Sequence, residues 1–218
     1  MLVLNKTPNR RESIFQIGLQ MDHDKSDENN AAQALDQVKQ KKRGYSDFFA
    51  WPVDRQLEEW AIVDSLKESL EKANAGFFNS LRARGRGNDP PDCEAILFEG
   101  GKLGIEVTEL VDPVAIMAYK NGDTSQQAEW SEDKLIKSIA HRLKAKDVST
   151  NLKGGPYDVY MLVIHTDEPI LNFDYTHPIL SEYPFKFYSL ISRAFLLMSY
   201  DQKYQCCPYI ELNIKTRT

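Results

Sequence analysis

Pro91–Leu110 reads PDCEAILFEGGKLGIEVTEL, and the interpretation of this stretch decides the fold. Asp92–Phe98 has the composition of a strand, and Glu99-Gly100-Gly101-Lys102 is a turn signal. Paired glycines meet the positive-φ requirement of a tight hairpin. Leu103–Val111 then alternates: Leu103, Ile105 and Val107 form one row, and Gly104, Glu106 and Thr108 the other. One acid opens the first strand and a second lies in the middle of its hairpin partner. Antiparallel pairing can place Asp92 and Glu106 at neighbouring positions on one side. Two carboxylates so placed repel unless a cation stands between them. Hard oxygen donors suit Mg²⁺ or Mn²⁺.

Upstream, Pro52 and Asp54 mark a helix start and the spacing predicts a helix over 55–72. Its apolar stripe is Ile62, Val63, Leu66 and Leu70, and Glu59 lies one turn before Val63 on the same face. Residues 74–91 are expected to be a connection, and they carry Arg82, Arg84 and Arg86. Downstream, 112–129 reads as a loop or an irregular insertion. Residues 130–146 read as a helix with Ser131 as N-cap and Leu135, Ile136, Ile139 and Leu143 as its stripe. Tyr157–His165 is the most apolar strand, expected at the centre of a sheet. A helix is expected over 185–200 and a last strand over 209–215. There is room for a third hairpin strand either upstream or within 109–120. This order predicts an α/β fold with a mixed central sheet flanked by helices.

The chain has 218 residues, enough for one domain with an appended arm. We place the α/β domain at 47–218 and a polar arm at 1–46. Met21–Asn30 has nothing to bury, and 31–43 could form a short helix ending in Lys39, Lys41, Lys42 and Arg43. The formal charge of −5 excludes a polybasic protein, so a nucleic-acid partner must be held by a local patch. No apolar run approaches the ~18 residues of a membrane span, so no membrane partner is expected. Three cysteines, two of them adjacent, make no disulfide framework. With a start that lacks a secretory pattern, they point to a reducing, cytoplasmic setting. No HExxH, GxSxG or glycine-rich phosphate loop is present. The aromatic stretch from Phe185 to Tyr209 is core plus surface, and offers a face for a homodimer.

The ordered set of a helix with Glu59, the pair Pro91-Asp92 and the run Glu106-Val107-Thr108 resembles the PD-(D/E)XK nuclease superfamily. A following helix and strand extend the likeness over roughly 55–165. The resemblance implies a restriction-endonuclease-like core that hydrolyses phosphodiesters of nucleic acid, DNA favoured over RNA, by metal-activated water. It implies Glu59, Asp92, Glu106 and the Val107 carbonyl as ligands of Mg²⁺ or Mn²⁺, with Asp92 and Glu106 catalytic. The chain departs from the family at one position, where Thr108 replaces the motif lysine. A threonine cannot offset charge in the transition state. Some members carry that lysine on the next helix, which makes Lys144 the first candidate here, then Lys146 and Lys137, with Lys102 at the turn after them. Arg82, Arg84 and Arg86 are the candidate phosphate contacts.

Each residue also has a plain structural role open to it. Asp92 suits a turn after two prolines, and Glu106 suits the solvent face of a half-exposed strand. Glu59, Lys144 and Lys146 suit the helix dipole, and the three arginines suit a solvated loop. The competing function is a nuclease fold with a worn site that binds nucleic acid or a protein.

Overall fold

The computed structural model describes residues 55–123, 128–148 and 152–215. The expected arm at 1–46, and the helix-start signals Pro52 and Asp54, lie outside the described residues. The described chain is α/β: helix α1 (Arg55–Lys72), β1 (Phe78–Ala83), a 3-10 turn (Arg86–Asn88), β2 (Cys93–Leu97) and β3 (Lys102–Glu109). Then come α2 (Pro113–Lys120), α3 (Glu132–Lys146), β4 (Val159–Thr166), α4 (Phe173–Leu180), β5 (Arg193–Met198) and β6 (Tyr209–Glu211).

All six strands form one mixed sheet in sequence order. β1, β2 and β3 are antiparallel neighbours, β3–β4 and β4–β5 are parallel, and β6 returns antiparallel to β5. The strand expected at the centre, now β4, is flanked on both sides. The β2–β3 hairpin turns where Gly100 and Gly101 take φ of 86° and 99°, the left-handed region that glycine enters without a Cβ penalty.

The alternation of β3 sorts its side chains. Leu103, Ile105 and Val107 pack with Ile62, Val63, Leu66 and Leu70 of α1 on one face. Tyr160, Leu162 and Ile164 of β4 pack with Leu135, Ile139 and Leu143 of α3 on the other. The sheet is thus buried on both faces, and each fully buried aliphatic side chain stabilises it by roughly 1.5–3 kcal/mol. No helix among the described residues is long and apolar enough to cross a membrane.

Four expectations change. The segment 185–200 is not a helix: it ends in β5, whose Ala194, Leu196 and Met198 enter one core and whose Phe195 and Leu197 enter the other. The connection 74–91 contains β1, so the third hairpin strand takes the upstream of the two places left open for it. The segment 112–129, expected as a loop or an irregular insertion, contains α2, begun by Asp112, which accepts hydrogen bonds from the N–H groups of Val114 and Ala115. The expected last strand is shorter, Tyr209–Glu211, with Ile214 making an isolated bridge to Phe185.

Candidate metal centre

Register brings the two strand acids together. Cys93 pairs with Ile105, so the next antiparallel step sets Asp92 opposite Glu106. β2 begins only at Cys93, and beyond it the edge of β3 is open. There Asp92 Oδ2 accepts a hydrogen bond of 2.7 Å from the N–H of Val107. A strand residue presents N–H and C=O along one edge, so the Val107 carbonyl is directed to the same open edge.

Asp89, on the far side of Pro90 and Pro91, joins them. Ligand oxygens of Asp89, Asp92 and Glu106 all lie within 4.8 Å of one another. Asp92 and Glu106 are buried, while Asp89 is exposed at the rim. Burial and the adjacent charge of Glu106 push the Asp92 carboxyl up to about 8, against the opposing Val107 hydrogen bond. A buried acid that resists ionisation beside another acid is the electrostatic mark of a site short of positive charge. The three carboxylates could hold a metal ion.

Glu59 stands in the wall beside this group, ion-paired at 2.6 Å to Arg55. Arg55, Gln56, Glu59, Gly85, Asp89 and Asp92 line a cavity of ≈ 480 Å³. Among the described residues the close-set group is thus Asp89 with the two strand acids, and Glu59 is a neighbour of it.

Beside Arg55 of α1, a second cation reaches the acidic group from α3. Lys146 Nζ is 2.5 Å from Glu106 Oε1, and the O–H of Tyr160 donates to Glu106 Oε2 at 3.1 Å. Lys144, the first candidate from sequence, is exposed; the lysine that meets a site carboxylate is Lys146. Lys137 pairs with Asp133 at 2.6 Å on an exposed surface. Lys102 lies at the start of β3, at the far end of the hairpin from Asp92.

Arg82 and Arg84 do not share one exposed surface. Arg84 is turned inward: its Nε is 3.1 Å from Glu94 Oε1 and its guanidinium also donates to the Lys153 carbonyl and the Tyr157 hydroxyl. Arg82 pairs with Glu94 at 2.7 Å but is 73% exposed. Arg86 opens the 3-10 turn, and its side chain lies outside what is described. Burial alone would raise the Glu94 carboxyl; the hydrogen bonds of Tyr157 and Arg82 and the charge of Arg84 outweigh it and hold Glu94 low.

Sequence reasoning missed Asp89 and Tyr160. For Asp89 a signal was present, since two acids flank the prolines of Asp89-Pro90-Pro91-Asp92 and a short turn returns the chain beside itself. Tyr160 looked like an ordinary member of an apolar strand. No family model, curated protein or solved structure matches this chain.

Proposed function

We propose that this chain is a metal-dependent nuclease that cleaves phosphodiester bonds of nucleic acid, with DNA the favoured substrate. The observation that carries the proposal is the opposition of Asp92 and Glu106 across the β2–β3 hairpin, with Asp89 beside them and a lysine on Glu106. The donor set fits a hard divalent cation such as Mg²⁺ or Mn²⁺: three carboxylates, two of them buried, with no sulfur or imidazole among them. Such an ion, when bound, polarises a phosphoryl oxygen and lowers the pKa of water.

The residues of the chain have distinct tasks in this reading. Asp92 and Glu106 would hold the cation, with the exposed Asp89 as the third carboxylate. Val107 holds Asp92 in place through its N–H. Lys146 supplies the ammonium that Thr108 cannot, offsetting negative charge as the phosphorus centre becomes five-coordinate. Arg55, at the cavity mouth and 72% exposed, is placed to exchange Glu59 for a backbone phosphate.

The test is cleavage of DNA and RNA with Mg²⁺ or Mn²⁺ by the wild type, Asp92→Ala and Glu106→Ala. The expected result is cleavage by the wild type alone. Equal activity in all three would remove these carboxylates from the chemistry.

A second reading, a nuclease-fold module that binds without cutting, is favoured by Thr108 and by the engagement of Lys146 with Glu106. Metal uptake and nucleic-acid binding with no cleavage under any divalent ion would select it.

A further inference from the structure

Glu106 is gripped on both oxygens. Lys146 meets Oε1 and the Tyr160 hydroxyl meets Oε2. Tyr160 reaches it from the neighbouring strand, where its backbone is in register with Gly104. Gly104 makes the space for this. A Cβ on Gly104 would lie 3.0 Å from Cδ2 of Tyr160 and 3.0 Å from Cγ of Tyr157. Both phenol rings pack over the bare backbone, their centroids 6.2 Å apart.

The two hydroxyls serve different acids. Tyr157 donates to Glu94 at 2.6 Å, within the Arg82–Arg84 ion-pair network. Tyr160 donates to Glu106, which belongs to the close-set acidic group. An ionised carboxylate has about four lone-pair sites, so each Glu106 oxygen keeps capacity for a cation while one direction is occupied.

We infer that Tyr160 is a positioning residue for the metal site, with Gly104 as the gap that admits it. Its hydroxyl fixes the rotation of the Glu106 carboxylate so that a ligand oxygen faces Asp92 and Asp89. The inference rests on the metal-site reading above. Outer hydrogen-bond partners of metal ligands typically contribute 10–100-fold in metal affinity.

The experiment is Mn²⁺ titration of the full chain by calorimetry, with the electron paramagnetic resonance line shape of the bound ion as a second readout. Tyr160→Phe keeps the ring and removes only the hydroxyl. It is expected to weaken Mn²⁺ binding about tenfold or more and to change the line shape. Tyr157→Phe removes the sister hydroxyl and is expected to stay within about twofold. Gly104→Ala, which crowds the same ring, should weaken binding in the same direction, with thermal melts confirming that each variant folds.

Wild-type affinity in Tyr160→Phe would overturn the inference and leave the metal site standing. Equal weakening by the two tyrosine variants would also overturn it, by reducing the pair to packing. If neither Tyr160→Phe nor Gly104→Ala folds, Tyr160 is a core residue and the positioning role falls. No Mn²⁺ uptake by the wild type would overturn the metal-site reading itself, and this inference with it.

Discussion

Lys146 Nζ and Glu106 Oε1 lie 2.5 Å apart, so the ammonium at the acidic group comes from the last turn of α3 and not from β3. Helix phase explains the choice. Lys146 follows Ile139 by seven residues, close to two full turns, and so continues the buried stripe of Leu135, Ile139 and Leu143. Lys144 follows Ile139 by five residues and projects well away from that stripe. The Lys146 side chain is 31% exposed while that of Glu106 is 7% exposed. The lysine can thus keep part of its stem wet as its head meets a dry acid.

Lys146→Met keeps the stem and removes the charge. It is expected to lower metal-dependent cleavage about 100-fold or more while Mn²⁺ uptake is retained. Lys144→Met should match the wild type. Cleavage assays beside calorimetry check both, and undiminished cleavage by Lys146→Met would refute the assignment of this lysine.

The Asp92 carboxyl gives a pH signature of opposite sign to that of an ordinary ion-paired acid. Folding raises it from 3.8 to about 8. Between those values the folded state holds the proton that the unfolded state has lost. Stability without metal should accordingly fall as pH rises from about 4 to about 8, and level off above. Asp92→Asn cannot titrate and should flatten that slope. Thermal melts in chelator across this range measure it; an unchanged slope in the variant would assign the effect to another group.

Much of this arrangement was legible in the sequence where local chemistry and tertiary environment agree. The row Gly104, Glu106, Thr108 could be read from alternation because α1 covers only the other row, and the paired glycines fixed the hairpin. β5 was illegible for a physical reason. Its run Ala194–Met198 is buried on both faces, so it has no polar side to reveal a period of two. A short continuous apolar run looks the same in a buried helix and a buried strand. β1 was hidden by its edge position: its pattern is broken where the register shifts between Asn79 and Arg82, with Ser80 at φ 53°. The inward turn of Arg84 depends on Glu94, Tyr157 and Lys153, which no local pattern joins to it.

Divalent metal should stabilise the chain, and more so at pH 8 than at pH 6, because the Asp92 proton must leave before the carboxylate can serve. At a free-metal concentration of 100 times Kd the gain is about 2.7 kcal/mol. Asp92→Asn and Glu106→Gln should abolish the Mn²⁺-dependent rise in melting temperature. Asp89→Asn, at the exposed rim, should reduce that rise while leaving the metal-free melt close to wild type. A full rise in Asp89→Asn would place that residue outside the coordination sphere.

Arg84 and Arg82 share Glu94 but should respond differently to removal. The Arg84 side chain is 9% exposed and its partner 12% exposed. Arg84→Ala would leave the Tyr157 and Glu94 groups short of a charged partner and cost about 3 kcal/mol of stability. The backbone consequence reaches the site, because the Arg84 N–H donates to the Asp92 carbonyl at 3.0 Å at the point where β2 begins. Arg82, on the surface, should cost no more than about 1 kcal/mol when replaced by alanine. If it binds phosphate, Arg82→Ala should instead weaken DNA binding and make it less salt-dependent, lowering the log–log slope by roughly one for each phosphate no longer neutralised. Denaturant melts and binding titrations at two salt concentrations separate the pair. A fully stable Arg84→Ala that binds DNA poorly would reverse the assignment, making the buried arginine the phosphate ligand.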